Sequence, residues 1–181
     1  LSIDRAARLV RLRVGAPIAF DVLIVAPGSR HSYFGHDAWE QSAPGLKTLA
    51  DAVHLREKML LAFEEAERRR VATGTRERLT FVIVGGGPTG VELAGALAEI
   101  GRKAMGPDFP NLRLDDLAIL LVEGGSRILP GFSPDLSAKA ATSLERMGVT
   151  IKLNSPVSEI RADGVMIGRA ADLARAKREI T

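Results

Sequence analysis

A short apolar run leads straight into a glycine-rich turn near the middle of the chain, and this feature constrains the fold more than any other. Residues 79–84 read LTFVIV, and Gly85, Gly87 and Gly90 follow in a G-x-G-x-x-G spacing. Such a run is typical of a central parallel strand, and apolar residues at helical spacing follow the turn. The order of strand, glycine turn and helix predicts a βα unit whose helix entrance binds a pyrophosphate group.

The glycines of the turn meet separate steric needs. Gly85 permits the tight turn, Gly87 lets the backbone approach the phosphates, and Gly90 lets the helix pack close to the strand. The residues at the helix entrance include a proline, whose missing N–H removes no helical hydrogen bond there. We predict that six residues hold the pyrophosphate: Gly85, Gly86, Gly87, Pro88, Thr89 and Gly90. The alternative is a glycine turn without a ligand.

An acid at the end of the next strand completes such a site, because its carboxylate accepts hydrogen bonds from a ribose. Residues 118–122 read AILLV, and Glu123 follows at once. Glu123 lies 33 residues after Gly90, beyond the usual spacing of about 20, and we attribute the excess to an insertion over residues 101–116. A carboxylate there favours NAD over NADP, whose 2′-phosphate it would repel. The argument for NADP is Arg127, because a basic residue just beyond the strand can accept the 2′-phosphate. The alternative role of Glu123 is that of an ordinary solvated acid at the end of a strand.

The composition limits the classes of function. The 181 residues carry a net charge of +3, with the basic residues spread along the chain, whereas nucleic-acid binding needs a clustered basic stripe. We expect one domain or slightly more, and a soluble chain, because neither a membrane-spanning run nor a signal peptide is seen in the sequence. Cysteine is absent, and His31, His36 and His54 lack the spacing of metal ligands. We therefore expect neither a disulfide nor a metal site.

Further segments complete the predicted fold. Residues 9–14 and 20–26 read as strands, a loop with Trp39 follows, and a T-x-x-D capping box starts a helix at Thr48. The predicted apolar face of that helix is Leu49, Val53, Leu60 and Phe63, and its charged end over residues 64–70 is expected to be solvated.

A second helix, a third strand and a hairpin follow the acid. Ser133 is the predicted N-cap of the helix, with Pro134 behind it, and Gly148 its stop. Its predicted apolar face is Leu136, Ala140, Leu144 and Met147. Val149, Ile151 and Leu153 alternate as a third parallel strand, and residues 157–160 and 164–167 read as short antiparallel strands. The prediction is an α/β fold with a Rossmann-like βαβαβ core and a parallel sheet.

Four segments together resemble the middle of a type II NADH dehydrogenase, a branch of the pyridine nucleotide–disulfide reductase-like flavoproteins. They are IAFDVLIVAPGS (18–29), HSYFGHDAWEQSAPGLKTLADA (31–52), VIVGGGPTGVELAGALAEI (82–100) and LVEGGSRILPGFSPDLSAKAATSLERMGVTI (121–151). The resemblance covers nearly the whole chain, from Ile3 to Ile167, and is far more specific than the glycine turn alone.

The resemblance implies a division into domains. In that family an FAD domain is split in sequence by an inserted NADH domain. Residues 1–45 would be an N-terminal β remnant of the FAD domain with a crossover loop, and residues 46–168 the NAD(H)-binding domain. Residues 169–181 form an atypical tail, and we expect it to be disordered. Gly28 and Ser29 match an Ala-Thr-Gly-Ser signature of the FAD domain, in which Pro27 replaces the usual threonine.

The resemblance also implies a function. NADH would pass hydride to FAD, which would reduce quinone at a membrane surface, so the intact enzyme is expected in the cytoplasm as a peripheral membrane protein. Glu92 matches a family glutamate near the nicotinamide and the flavin, and its alternative role is that of an acid in the first turn of a helix. We expect this chain alone to be inactive, to retain no FAD and to self-associate. The rival functions are a stand-alone NADH-binding regulatory module and a flavoprotein reductase that acts on a small electron carrier.

Overall fold

The computed structural model describes residues 1–28, 32–76, 78–104 and 107–168. The chain divides into two units, Leu1–Arg30 and His31–Thr181. Ser29, His31 and the tail over residues 169–181 lie outside the described residues. The division at residue 30 differs from the boundary at 45 expected from the sequence, and the assignment of the parts to domains of a larger protein stays a prediction.

The first unit is a small antiparallel sheet. Its strands β1 (Ser2–Asp4), β2 (Leu9–Arg11) and β3 (Ile18–Ala19) pair in the order β1-β2-β3. The strand predicted over residues 20–26 is wrong, since β3 ends at Ala19 and, in the described part of the chain, residues 20–26 pair with no strand. A strand is stable only when a neighbour satisfies its backbone groups, and the apolar side chain of Ile24 is 84% exposed.

The second unit contains the predicted βαβαβ core. Its helices and strands are α1 (Leu49–Thr73), β4 (Leu79–Val84), α2 (Pro88–Ala104), β5 (Leu117–Val122), α3 (Pro134–Arg146), β6 (Val149–Lys152), β7 (Val157–Arg161) and β8 (Gly164–Ile167). Strands β4, β5 and β6 form a parallel sheet in that order, and β7 and β8 pair antiparallel. The predicted α/β fold class is confirmed.

Apolar side chains of α2, α3 and the parallel sheet form the main core. Ala94, Leu97 and Ala98 of α2 are buried with Ile119 and Leu121 of β5. A Cβ on Gly95 would lie 3.8 Å from Leu144 Cδ2, an ordinary van der Waals distance, so α2 faces α3 at this position. The core therefore fixes α2 against β5 and α3.

Helix α1 begins as predicted but buries a different face. The side chain of Thr48 accepts the N–H of Asp51 at 3.2 Å, and Asp51 Oδ2 accepts the N–H of Thr48 at 2.8 Å, so the capping box is confirmed. Phe63 is fully buried, but Leu49 is 82% exposed and Val53 49% exposed. The predicted face is wrong at its first two positions because the first turns of α1 precede the part that packs on the sheet.

Helix α3 has the predicted limits. Ser133 is its N-cap, Pro134 its first residue, and Gly148 has a φ of +87° just after its end. Leu144 is buried, whereas Leu136 is exposed. The prediction for Leu136 is wrong, because it lies on the solvent side of the helix.

The third strand is shorter than predicted. It ends at Lys152, so Leu153 lies beyond it and is partly exposed. Val149 is buried and Ile151 packs against the main core, as the alternation predicts.

The described residues of the predicted insertion, 101–104 and 107–116, include the end of α2 and side chains that pack in a core. Helix α2 continues to Ala104, and a Cβ on Gly101 would lie 2.3 Å from Leu117 Cδ2, so the helix crosses the start of β5 in direct contact. Phe109 and Leu112 form a second core cluster with Phe63. Residues 107–116 therefore contain side chains that pack against Phe63 of α1.

Asp116, at the end of this connection, is a buried charged residue that links three segments. Its side chain is 2% exposed and accepts hydrogen bonds from Arg76, from Arg70 Nη1 at 3.2 Å and from the backbone N–H of Arg113 at 2.8 Å. Burial raises the pKa of Asp116, but the hydrogen bonds from Arg76 and Arg113 and the charges of Arg76 and Arg70 outweigh it and lower the pKa below its ordinary value. The charged end of α1 is therefore not simply solvated, since Arg70 belongs to it.

Candidate dinucleotide site

The glycine turn connects β4 to α2 and depends on glycine at its first and last positions. Gly85 has a φ of +106°, and its N–H donates to Val122 O at 2.8 Å, which extends the β4–β5 ladder by one residue. A Cβ on Gly90 would lie 2.0 Å from Gly85 O. Any larger residue at position 90 would therefore push α2 away from the turn.

The middle of the turn faces open space. A Cβ on Gly87 would meet no atom of the described residues within 4 Å, so the packing of those residues does not require its small size. Helix α2 begins next to it, and in the described part of the chain the N–H groups of Gly87, Thr89 and Gly90 have no acceptor. These N–H groups, with the positive end of the helix dipole, fit the negative oxygens of a pyrophosphate.

Glu123 follows β5 and lies beside this turn. Its Oε2 accepts the N–H of Gly86 at 2.7 Å, and its Oε1 accepts the N–H of Gly125 at 2.6 Å. An ionised carboxylate has about four acceptor positions, so capacity remains for two ribose hydroxyls. The sequence-predicted acid and the glycine turn are thus brought together, while the binding of ribose by Glu123 stays a prediction.

The loop after Glu123 carries a contact that the sequence analysis missed. Leu129 donates its N–H to Gly86 O at 2.7 Å and has a φ of +50°. A Cβ on Gly86 would lie 2.9 Å from Ile128 Cγ2 and 3.0 Å from Glu123 Oε2. Gly86 is therefore enclosed by the loop. The apolar pair Ile128-Leu129 in a loop rich in glycine and proline was the available signal, but a left-handed leucine cannot be read from a sequence.

Both backbone groups of Gly86 are hydrogen-bonded within the protein, so its N–H is not available to a ligand. Its N–H is already donated to Glu123, and its carbonyl accepts from Leu129. The assignment of Gly86 to the pyrophosphate stays a prediction, and its observed contacts show how the turn is held in place.

The remaining candidates lie at the margins of this cluster or outside it. Glu92 is exposed and is the fifth residue of α2, so its alternative role as a first-turn acid is wrong. Arg127 Nη2 donates to Pro130 O at 2.8 Å, within its own loop. Gly28 belongs to the first unit, with a φ of +77°, and Ser29 lies outside the described residues.

Comparison with known proteins identifies the family. The family model described as "Pyridine nucleotide-disulphide oxidoreductase" matches residues 1–179. The chain belongs to this family. The parallel βαβαβ core and the glycine turn agree with this assignment.

Proteins similar to this chain are longer than it. Two type II NADH:quinone oxidoreductases of Mycobacterium tuberculosis, NdhA and Ndh, are 40% and 37% identical over 148 residues, which are 82% of this chain and 32% of each relative. An external alternative NAD(P)H-ubiquinone oxidoreductase (B4, mitochondrial) of Arabidopsis thaliana is 32% identical over 147 residues. The chain thus spans about a third of the first two relatives.

Solved structures show the same fold at lower identity. NDH2 from Plasmodium falciparum, solved in complex with NADH, matches with a TM-score of 0.70 and 23% identity over 86% of this chain and 32% of that one. A ferredoxin reductase from Rhodopseudomonas palustris matches with a TM-score of 0.58 and 22% identity over 92% of this chain and 34% of that one. Within the described residues, no helix has the length and apolar character needed to cross a membrane.

Proposed function

We propose that this chain is the NAD(H)-binding portion of a flavin-dependent NADH dehydrogenase that reduces quinone. The observation that carries the proposal is the meeting of the glycine turn with Glu123. Three N–H groups without an acceptor among the described residues, on Gly87, Thr89 and Gly90, lie at the N-terminus of α2, and the carboxylate of Glu123 is hydrogen-bonded to the same turn. A dinucleotide needs both parts at once, because its pyrophosphate is an anion and its adenosine ribose is a hydrogen-bond donor.

The residues divide the binding task between them. The N–H groups of the turn and of the first turn of α2 would hold the pyrophosphate, and Gly87 leaves room for its close approach. Glu123 would accept hydrogen bonds from the ribose hydroxyls and oppose the 2′-phosphate of NADP by charge repulsion. The bound nicotinamide supplies the hydride, so the protein itself binds and orients the dinucleotide.

The identity of the electron acceptor rests on the relatives. The proteins that are 40%, 37% and 32% identical to this chain are named as quinone or ubiquinone oxidoreductases, which favours quinone over a small electron-carrier protein. The likeness to a ferredoxin reductase is one of fold alone. The proposal includes a cytoplasmic enzyme that is attached peripherally to a membrane, because a quinone is a lipid-soluble substrate.

Two further parts of the proposal concern the flavin. Glu92 would lie near the nicotinamide and the flavin, and Gly28 and Ser29 would contact FAD.

The sequence has a single G-x-G-x-x-G turn, which is assigned here to NADH, and FAD needs a second one. We therefore expect the 181-residue chain alone to be colourless and without quinone reductase activity. Flavin absorbance with one FAD per chain would contradict this part of the proposal.

The central test is titration calorimetry of the 181-residue chain with NADH and with NADPH. We expect NADH to bind and NADPH to bind at least about tenfold more weakly, as like-charge repulsion at Glu123 requires. Equal affinities would remove Glu123 from the ribose site, and no heat with either dinucleotide would overturn the proposed function. Gel filtration of the same sample tests the expected self-association, which the exposed apolar residues Val22 and Ile24 favour.

A further inference from the structure

Gly86 lies at the centre of the turn with both backbone groups occupied. Its N–H donates to Glu123 Oε2 at 2.7 Å, and its carbonyl accepts the N–H of Leu129 at 2.7 Å. Two contacts from different segments fix the planes of the peptide groups on either side of Gly86. The peptide after Gly86 carries the N–H of Gly87, a residue that faces open space.

The contact from Leu129 depends on an unfavourable backbone conformation. Leu129 has a φ of +50°, in the left-handed region that residues other than glycine, asparagine and aspartate usually avoid. Such outliers persist only where the surroundings over-determine them, and they concentrate at functional sites. Here the outlier directs an N–H group at the glycine turn.

The surroundings of Leu129 supply that constraint. Ile128 is 1% exposed, and its carbonyl accepts the buried hydroxyl of Ser137, in the first turn of α3, at 2.6 Å. The carbonyl of Leu129 accepts the N–H of Phe132 at 2.9 Å. The loop is therefore anchored to α3 on one side and to the glycine turn on the other.

We propose that Leu129 is a positioning residue for the dinucleotide, acting through its left-handed backbone rather than through its side chain. Its N–H holds the Gly86 carbonyl so that the N–H of Gly87 points, with those of Thr89 and Gly90, toward the pyrophosphate. The proposal rests on the proposed function, since it assumes that these N–H groups bind a dinucleotide. It adds a residue with no expected contact to the ligand.

Substitutions at position 129 separate the backbone conformation from side-chain packing. Leu129→Gly and Leu129→Asn accept a positive φ, whereas Leu129→Ile keeps the apolar volume but disfavours that φ strongly. Positioning through the backbone predicts that the Gly and Asn variants bind NADH within about threefold of the parent chain. The same role predicts a loss of roughly tenfold for the Ile variant, because a β-branched residue disfavours a positive φ even more than the parental leucine does.

A packing role predicts the opposite order of NADH affinities among the variants, because the side chain of Leu129 packs against the main core. The Ile variant would then bind best and the Gly variant worst, in parallel with their melting temperatures. Calorimetry with NADH ranks the variants by affinity, and thermal melting of the same samples ranks them by stability. A Gly variant that melts cooperatively yet loses about tenfold in affinity would overturn the proposal, even if the Ile variant does not fold.

Phe34→Ile is the matched control. Phe34 also has a positive φ, of +53°, but it is 89% exposed and lies far along the chain from the turn. We expect the control to leave NADH affinity unchanged, and an equal loss there would show that any strained backbone weakens binding and so overturn the specific role of Leu129. If the parent chain does not bind NADH, the proposed function itself fails. If the parent binds and all three variants at position 129 bind equally, only the present inference fails.

Discussion

The carboxylate of Glu123 accepts the backbone N–H of Gly86 at 2.7 Å, so the acid after β5 is bonded directly to the glycine turn after β4. Its second oxygen accepts the N–H of Gly125 at 2.6 Å. The residue proposed to bind the ribose therefore also shapes the loop proposed to bind the phosphates. Changes at this position should affect both halves of the site together.

Glu123→Gln is predicted to be far from conservative. Both carboxylate oxygens accept backbone N–H groups, and an amide offers only one acceptor, so its NH₂ group would face the N–H of Gly86 or Gly125. Hydrogen bonds to charged groups are worth about 1.5–3 kcal/mol, so we expect Glu123→Gln and Glu123→Ala each to weaken NADH binding by roughly ten- to a hundredfold.

The control for this experiment is Glu99→Gln on the exposed side of α2. Glu99 pairs with Lys103 at 3.0 Å on the surface, and such pairs contribute little to stability. Titration calorimetry should find parental NADH affinity in the control. If Glu123→Gln also kept parental affinity, neither the turn nor the ribose would depend on its charge.

The glycines of the turn should separate binding from folding. Gly87→Ala places its methyl group in open space, whereas Gly90→Ala brings a methyl group to 2.0 Å from Gly85 O. We expect Gly87→Ala to keep the parental melting temperature but to lose at least about tenfold in NADH affinity, because the methyl group occupies the path of the pyrophosphate.

For Gly90→Ala we expect a lower melting temperature even without ligand, since α2 must move from the turn. Differential scanning fluorimetry with and without NADH measures both effects. A Gly87→Ala variant with parental affinity would place the pyrophosphate elsewhere.

The parallel core could be predicted from the sequence because local pattern and tertiary environment agree there. The apolar runs before Gly85 and before Glu123 form the parallel pair β4 and β5, and the glycine spacing demands one turn geometry. The prediction of the capping box at Thr48 was confirmed for a similar reason, since its hydrogen bonds form between residues close in sequence.

Predictions from the sequence were wrong or absent where a residue's structure depends on a contact with a residue distant in sequence. Residues 20–26 form an apolar run that reads as a strand, but a strand needs a pairing neighbour and the described residues provide none. The burial of Asp116 depends on Arg70 and Arg76, which are 46 and 40 residues away. The sequence marks the connection only as an insertion rich in proline and glycine, so it gives no sign of this burial. The left-handed Leu129 likewise belongs to a loop that is held by hydrogen bonds to Gly86 and to Ser137 of α3.

Asp116 should make stability depend on pH in the acid range. Its pKa is lowered in the folded chain, so its stabilising effect is fully present above the unfolded value of about 3.9 and is lost as pH falls through the folded pKa. Asp116→Asn should destabilise the chain by about 1–3 kcal/mol near neutral pH, because hydrogen bonds from two arginines are weakened.

The measurement is the difference in melting temperature between parent and variant from about pH 7 to about pH 3. We expect a constant difference down to about pH 5 and a shrinking one below about pH 4. Asp115→Asn is the matched control, because Asp115 is exposed and its Oδ2 is 3.9 Å from Arg76 Nη2. A difference that stays constant over the whole range, or an equal effect of the control, would contradict the role of the buried carboxylate.

Glu92 provides a test that separates chemistry from binding. It is exposed on α2, past the first helical turn, where the helix dipole has little effect on a charge. We therefore expect Glu92→Gln to change stability by less than about 0.5 kcal/mol, as is usual for surface substitutions. In a full-length quinone reductase that contains this chain, the same substitution should leave the affinity for the adenosine half of NADH unchanged, because that half is held by Glu123 and the glycine turn.

Turnover should nevertheless fall if Glu92 acts at the nicotinamide end, since an interaction made only in the transition state affects kcat without changing ground-state binding. Steady-state quinone reduction and melting temperature are measured on Glu92→Gln and on the control Glu99→Gln, which alters a carboxylate further along the same helix. A lower kcat in Glu92→Gln alone, with equal melting temperatures, would support a role beside the nicotinamide. Parental kcat in both variants would rule that role out and leave the glycine turn and Glu123 as the functional residues of this chain.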